Sequence, residues 1–267
     1  MTTRGGGDPW AALAALTPAR VALGRTGPSL PTREVLALAL DHARAKDAVR
    51  RPFDASGVAR EFEAMGFATL MVSSQATDRD VYLRRPDLGR RLGPDSRRSL
   101  AEAATTKGRV QLVVADGLSS AAVHMHAAAL VAALAPRLEA AAPLSECVVL
   151  ASQARVALGD EIGEAMGARL VILMLGERPG LSSPDSLGAY LTFDPRVGRT
   201  DAERNCVSNI RAAGLSYEEA AHRIGWLATA ALGRGSSGVA LKDDSPPMDA
   251  RIEPGPPSPP DPQAYAG

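Results

Sequence analysis

The sequence predicts an α/β protein with a doubly wound, mainly parallel sheet, an N-terminal helical region and a disordered proline-rich C-terminal tail. Three observations carry this reading. Between residues 110 and 175 short β-type runs alternate with helical ones, and strand-helix-strand-helix-strand implies a doubly wound core. The run Leu170-Val-Ile-Leu-Met-Leu175 is apolar without a break, as expected of a strand buried on both faces of a parallel sheet. Of the 20 prolines, eight (246, 247, 254, 256, 257, 259, 260 and 262) crowd the end of the chain, where Met248 and Ile252 are the only large aliphatic side chains. Such a segment buries too little apolar surface to offset its ordering entropy.

Taken in order, Asp8-Pro9 before Trp10-Ala-Ala-Leu-Ala-Ala-Leu16 reads as an N-cap and N1 proline opening a short amphipathic helix, an N-terminal arm over 1–18. Thr32 can cap a second helix with Glu34 in its first turn and an apolar stripe of Leu36, Leu40 and Ala43, ending before Arg50-Arg51-Pro52. The stretch from Phe53 to Ala76 carries little signal and goes with the helical region, 19–109. Val110–Ala115 is the first strand expected, followed by Asp116-Gly-Leu-Ser119 and an alanine-rich helix to about Leu138. Cys147–Ala151 is the next strand, then a helix containing Asp160-Glu-Ile-Gly-Glu164, then Leu170–Leu175. A strand-like Leu187–Phe193 and a last helix from about Tyr217 to Leu232 complete a domain over 110–234, with the tail over 235–267. In such a sheet ligands bind where loops leave the carboxyl ends of the strands, here at Asp116, Ser152 and Gly176.

Composition narrows the function classes. With 30 Lys+Arg against 30 Asp+Glu the chain lacks the diffuse positive field of a nucleic-acid binder. Two cysteines make no disulfide framework, no apolar run approaches the ~18 residues that span a bilayer, and the N-terminus has no apolar secretory core. A cytoplasmic protein is expected.

Most familiar chemistries lack their residues. Gly159, Gly163 and Gly167 are spaced by four within a helix, which suits close packing rather than a dinucleotide fingerprint. There is no P-loop and no G-x-S-x-G elbow, and His42, His124, His126 and His222 form no zinc spacing with Cys147 or Cys206, so no metal site is assigned. Asp116 can cap the following helix together with Ser119 or contact a ligand. Six arginines between Arg84 and Arg98 face Asp87 and Asp95, either as a solvated face or as guanidinium forks for a partner or ligand, and Arg196, Arg199, Arg204 and Arg211 interleave with Asp194, Asp201 and Glu203 as an ordered polar network. The densest anomaly is Gly176-Glu-Arg-Pro-Gly180, where Pro179 stiffens and two glycines free a polar loop after a buried strand; its bland alternative is a structural turn with an internal Glu177–Arg178 contact.

Arg84-Arg-Pro-Asp-Leu-Gly-Arg-Arg-Leu92, Val114-Ala-Asp-Gly-Leu-Ser119, Arg155-Val-Ala-Leu-Gly-Asp-Glu-Ile-Gly163, Leu175-Gly-Glu-Arg-Pro-Gly180 with its continuation to Gly188, and Arg204-Asn-Cys-Val-Ser-Asn-Ile-Arg211 together resemble the small subunit of ethanolamine ammonia-lyase, from about Ala19 to Leu232. The resemblance implies a Rossmann-like core and a subunit of an adenosylcobalamin-dependent lyase that converts ethanolamine to acetaldehyde and ammonia through radicals. It implies a large TIM-barrel partner subunit that binds substrate, in a hetero-oligomer of heterodimers, and a cytoplasmic enzyme within a bacterial microcompartment. The family's cofactor-contacting positions fall on Val156, Glu177 and Cys206. No catalytic residue is expected in this chain. The Asp-x-His-x-x-Gly signature that replaces the benzimidazole on cobalt is missing, since His222-x-x-Gly225 has Ala220 at the aspartate position, so the cofactor is expected base-on. Two other readings stand beside this one: a non-catalytic α/β scaffold that recruits partners, and a nucleotide-dependent oxidoreductase without its glycine fingerprint.

Overall fold

The computed structural model describes residues 19–103 and 107–248 and, ahead of them, Trp10, Ala14, Leu16 and Thr17. The arm expected over 1–18 and the tail beyond 248 lie mostly or wholly outside the described residues. Helix α1 spans Thr32–Arg50; Pro31 occupies its N-cap position without a side-chain hydrogen bond, so Thr32 begins the helix rather than capping it. Its expected apolar stripe faces outward: Leu36 and Leu40 are 64% and 52% exposed, and only Ala45 and Ala48 are buried.

The stretch assigned to a helical region supplies more than helices. After α2 (Ala55–Ala64), N-capped by Asp54, the chain forms strand β1 (Ala68–Ser73), then α3 (Arg79–Arg84), capped by Asp78, and α4 (Pro94–Ala103). The remaining elements are β2 (Val110–Ala115), α5 (Ser120–Glu139), β3 (Leu144–Ser152), α6 (Leu158–Met166), β4 (Leu170–Gly176), β5 (Leu187–Phe193), β6 (Arg204–Ile210) and α7 (Tyr217–Arg234). The six strands make one sheet in the order β1-β3-β2-β4-β5-β6.

This sheet is mixed: three of its five strand pairs are parallel, as expected of a mainly parallel sheet, and the expectation lacked the antiparallel β5 and β6. β1, β3, β2 and β4 run parallel, while β5 is antiparallel to β4 and β6 antiparallel to β5. The physical reason is connection length. A parallel crossover needs a dozen or more residues, and 177–186 and 194–203 are too short, so the chain turns back beside the strand it has just left. The two unforeseen strands, β1 and β6, lie at the sheet's edges and each leave three residues exposed, so neither is buried on both faces like β2 and β4.

Side-chain alternation divides the core between the faces. On β2, Leu112 and Val114 pack with α2, α5 and α7, whereas Val113 and Ala115 pack with α4 and α6. Gly159 and Gly163 of α6 sit against Leu173 and against Pro195 and Val171, and Gly167 ends the helix in the left-handed region at φ 65°, so these glycines serve packing and capping. Helix α5 is long and apolar enough by composition to cross a membrane, contrary to the expectation that no segment qualifies; Leu130, Val131, Leu134 and Leu138 are buried in the protein core.

Within residues 235–248, read as disordered, 237–241 are held against β5 and β6 and Pro246 meets His222 of α7. Asn205 of β6 accepts from Gly238 N (2.8 Å) and donates to Leu241 O (2.7 Å), and Leu241 is 3% exposed. Backbone anchoring of this kind is invisible to composition.

Candidate functional site

The loops leaving β2 and β4 interlock. Leu118 N donates to Gly176 O at 2.9 Å, and a Cβ on Gly176 would collide with the carbonyl oxygens of Asp116 and Ser119. Gly117, at φ 55°, would carry its own Cβ into Gly176 O. Both positions therefore require glycine, Gly176 for space rather than for conformational freedom.

β2 and β3 are neighbours, yet the helices that follow them, α5 and α6, pack on opposite faces, which opens a crevice at their carboxyl ends. Asp116 ties it together. Its Oδ1 accepts from Ala154 N at 3.1 Å and its Oδ2 lies 3.4 Å from Arg79 Nη1, which also donates to Gly117 O at 2.8 Å. Burial pushes this carboxyl up from its ordinary range, and the surrounding N–H groups and Arg79 oppose the shift. Ser119 alone caps α5, accepting from Ala122 N. Asp116 is thus a structural tie.

Below the crevice Tyr82 is fully buried and donates its hydroxyl to Ala154 O at 2.9 Å. Its ring meets two guanidinium groups, Arg79 at 4.7 Å and Arg155 at 4.3 Å from the ring centroid. Burial holds its phenol well above the ordinary range, so it stays protonated. Tyr82 and Arg79 share one face of the short α3, three residues apart, a spacing that sequence reading passed over.

A cleft of about 420 Å³ opens on this floor. Leu118 and Leu175 give it an apolar side, Arg155 and Val156 come from the loop after β3, Glu177 and Arg178 from the loop after β4, and Tyr190 from β5. All three loops named from the sequence, at Asp116, Ser152 and Gly176, therefore converge here.

Glu177 is half-buried and organises the wall. One carboxylate oxygen accepts from the Ser208 hydroxyl; the other accepts from the Ser186 hydroxyl and, at 3.3 Å, from Asn209 N. Its own N–H donates to Ser186 O at 2.9 Å. Three donors leave a carboxylate, which has about four lone-pair sites, with one to offer outward. The internal Glu177–Arg178 contact is not what holds this turn; Arg178 is exposed and makes no ion pair among the described residues.

Cys206 lies directly across the β5–β6 ladder from Tyr190, next to the cleft wall rather than in the lining. Desolvation of each group pushes its ionisation up and the Glu177 carboxylate adds to both shifts, so thiol and phenol are neutral near pH 7. Val156 and Glu177 thereby meet in one cleft, and Cys206 stands beside its wall through Tyr190. Cys147 sits half-buried on β3, as its strand position implies. No group of three or more His, Cys, Asp or Glu with metal-holding geometry occurs among the described residues.

The two basic runs differ. Arg204 is buried and binds Asp160 of α6 and Asp201 (2.7 Å), while Arg199 binds Glu203 (2.5 Å) and Asp194 (2.9 Å), an ordered network that fixes β6 to α6. Between 84 and 98, Arg97 reaches the buried Glu161, which also accepts from Leu92 N, whereas Arg84, Arg90 and Arg91 are exposed and make no ion pair among the described residues.

Comparison with known proteins adds a direct result. A family model described as the ethanolamine ammonia-lyase light chain (EutC) matches residues 7–242. The chain is 57% identical over 235 residues to a Bradyrhizobium diazoefficiens protein, covering 87% of this chain and 90% of the relative. It is 58% identical over 230 residues to a protein of Rhodopseudomonas palustris, covering 86% and 88%, and 54% identical over 239 residues to one of Ralstonia nicotianae, covering 88% of each. All three relatives carry the name ethanolamine ammonia-lyase small subunit.

Proposed function

The chain belongs to the ethanolamine ammonia-lyase light-chain family, and from that premise we propose that it clamps the lower face and benzimidazole tail of adenosylcobalamin while a large TIM-barrel subunit holds the ethanolamine. The observation that carries this reading is the convergence of Val156, Glu177 and Tyr190 on one cleft beside the carboxyl ends of β3 and β4, with Cys206 paired to Tyr190 next to its wall. The bound cofactor supplies the radical chemistry that turns ethanolamine into acetaldehyde and ammonia.

The residues fit such a group. A cleft of about 420 Å³ is at the scale of one nucleotide-sized ligand, so it takes one end of the cofactor and leaves the macrocycle across the rim for the partner subunit. Corrin and nucleotide edges offer amides, hydroxyls and a phosphodiester, and the wall answers with the spare acceptor of Glu177, guanidinium donors and apolar Leu118, Val156 and Leu175. The histidines sit elsewhere: His124 and His126 are on α5, where they bond Asp54 N and the Tyr217 hydroxyl, and His222 on α7 contacts Pro246 O. This supports a base-on cofactor. This chain's part is to orient the cofactor and exclude water, and catalytic groups for substrate lie in the partner.

The same reading takes the parallel half, β1-β3-β2-β4 with helices on both faces, as a Rossmann-like core. It makes the enzyme a hetero-oligomer of heterodimers in the cytoplasm, within a bacterial microcompartment.

The test is anaerobic titration of the co-expressed subunits with a corrinoid. A stable complex whose absorbance shift exceeds that of the large subunit alone is expected. Its absence sinks the proposal and favours a scaffold. Within the complex, Glu177→Gln should weaken corrinoid affinity by about 1–3 kcal/mol with the thermal midpoint nearly unchanged.

A further inference from the structure

We propose that Arg155 and Arg178 form an anion subsite in this cleft that takes the phosphodiester of the cofactor's nucleotide tail. The inference rests on the cobalamin reading above and adds to it which residues meet the ligand's one fixed negative charge.

Four observations lead there. The first is charge: neither guanidinium has a carboxylate partner among the described residues, although both line the same cleft. The cleft's single carboxylate, Glu177, is occupied by hydroxyl and backbone donors, so two cations and one anion leave a net single positive charge for a monoanionic ligand.

The second is an unsatisfied donor. Arg155 Nε is shielded from solvent and bonds nothing, a state that buried polar atoms rarely keep unless a ligand or water completes them. The third is preorganisation. The Arg155 guanidinium stacks on the buried Tyr82 ring, its Nη2 donates to Tyr82 O at 3.3 Å, and its backbone N–H is fixed to Gly89 O at 2.8 Å. Gly89 is itself constrained, because a Cβ there would press on Arg155 Cγ at 2.9 Å.

The fourth is a contrast at the same ring. Arg79, which also contacts Tyr82, likewise has a buried unbonded nitrogen, Nη2, but its charge is balanced by Asp116 and its remaining groups hold Val49 O and Gly117 O. Of the two stacked guanidinia, Arg155 is the one left free to receive a ligand's charge. A planar fork held rigid on an aromatic ring suits a phosphodiester, which presents two equivalent oxygens. Arg178, exposed in the cleft lining, adds a second charge as the ligand seats.

The experiment uses the co-expressed two-subunit complex and two probes, cyanocobalamin and cobinamide, which lacks the phosphodiester, ribose and base. Arg155→Gln and Arg178→Gln should each raise the Kd for cyanocobalamin about tenfold and leave that for cobinamide within about twofold. Raising salt from about 20 to about 500 mM should weaken cyanocobalamin binding to the unaltered complex and have little effect on the double variant. Equal weakening of both corrinoids, an unchanged cyanocobalamin Kd, or a salt response retained by the double variant overturns the subsite. Because Arg178 touches no other described residue through its charge, its variant tests the idea even if Arg155→Gln disturbs the floor. A complex that binds neither probe before any substitution defeats the cofactor reading instead, so the two failures are distinguishable.

Discussion

At Gly176 a single hydrogen atom decides whether the site closes. Any side chain there meets the carbonyls of Asp116 and Ser119, which are backbone and cannot rotate away. Gly176→Ala is therefore expected to cost at least about 2–3 kcal/mol, read as a fall in the thermal midpoint, whereas Gly233→Ala, with open space around it, should leave it level. Equal midpoints for the two variants would contradict the interlock. The glycine was legible in the sequence but its purpose was not, because the colliding atoms belong to another loop. Glu177 shows the same limit: position after a buried strand marked it out, yet Ser186 and Ser208, which hold it, come from β5's approach and from β6. Its assignment to a ligand, like those of Val156 and Cys206, came from the resemblance and not from spacing.

Among the elements, those buried on both faces were the readable ones. β2 and β4 have every residue buried and were found to within one residue, while β6, Arg204-Asn-Cys-Val-Ser-Asn-Ile210, hid among charges because one face of it is wet. The turn before β6 makes its own prediction. Thr200 and Glu203 form a reciprocal capping box, and the Thr200 N–H together with Arg199 holds the Glu203 carboxyl down to about 2 from an ordinary 4.5. A folded value below the unfolded one means that stabilisation is present above pH 4.5 and is lost as pH falls toward 2. Thermal unfolding of Glu203→Gln and the parent should therefore differ near neutral pH and converge as the pH approaches the lower value. A gap that persists undiminished in acid would assign the effect to packing.

Over the whole molecule, the sequence conveyed a two-faced α/β core and misjudged its margins. The parallel half follows from unbroken apolar runs and helix-length spacers, whereas the antiparallel β5 and β6 follow from short connections whose consequence appears only when strands are laid side by side. The C-terminal margin was misjudged for a comparable reason, since one leucine and two side-chain tethers outweigh a polar composition. Ending the chain at Arg234 removes Leu241 from its buried site and Ser237, whose hydroxyl accepts from Phe193 N at 2.9 Å and donates to Glu203 O at 2.5 Å. Loss of about 2 kcal/mol from the leucine alone corresponds to a midpoint lowered by roughly 4–8 °C, measurable by calorimetry. An unchanged midpoint would mean that residues 235–248 rest on the sheet without stabilising it.

The span of the cleft along the chain sets a timetable. Its floor comes from Tyr82 and its far wall from Tyr190, so roughly 110 residues separate the first contributor from the last, on the order of ten seconds of ribosomal synthesis. Late in that interval, between the emergence of β4 and that of β5, the nascent chain exposes the outer edge of β4, an apolar strand waiting for β5 to cover it. Vulnerability to mispairing is therefore concentrated in a short window before β5 emerges, and conditions that slow elongation there should lower the yield of native subunit more than the same delay after α7.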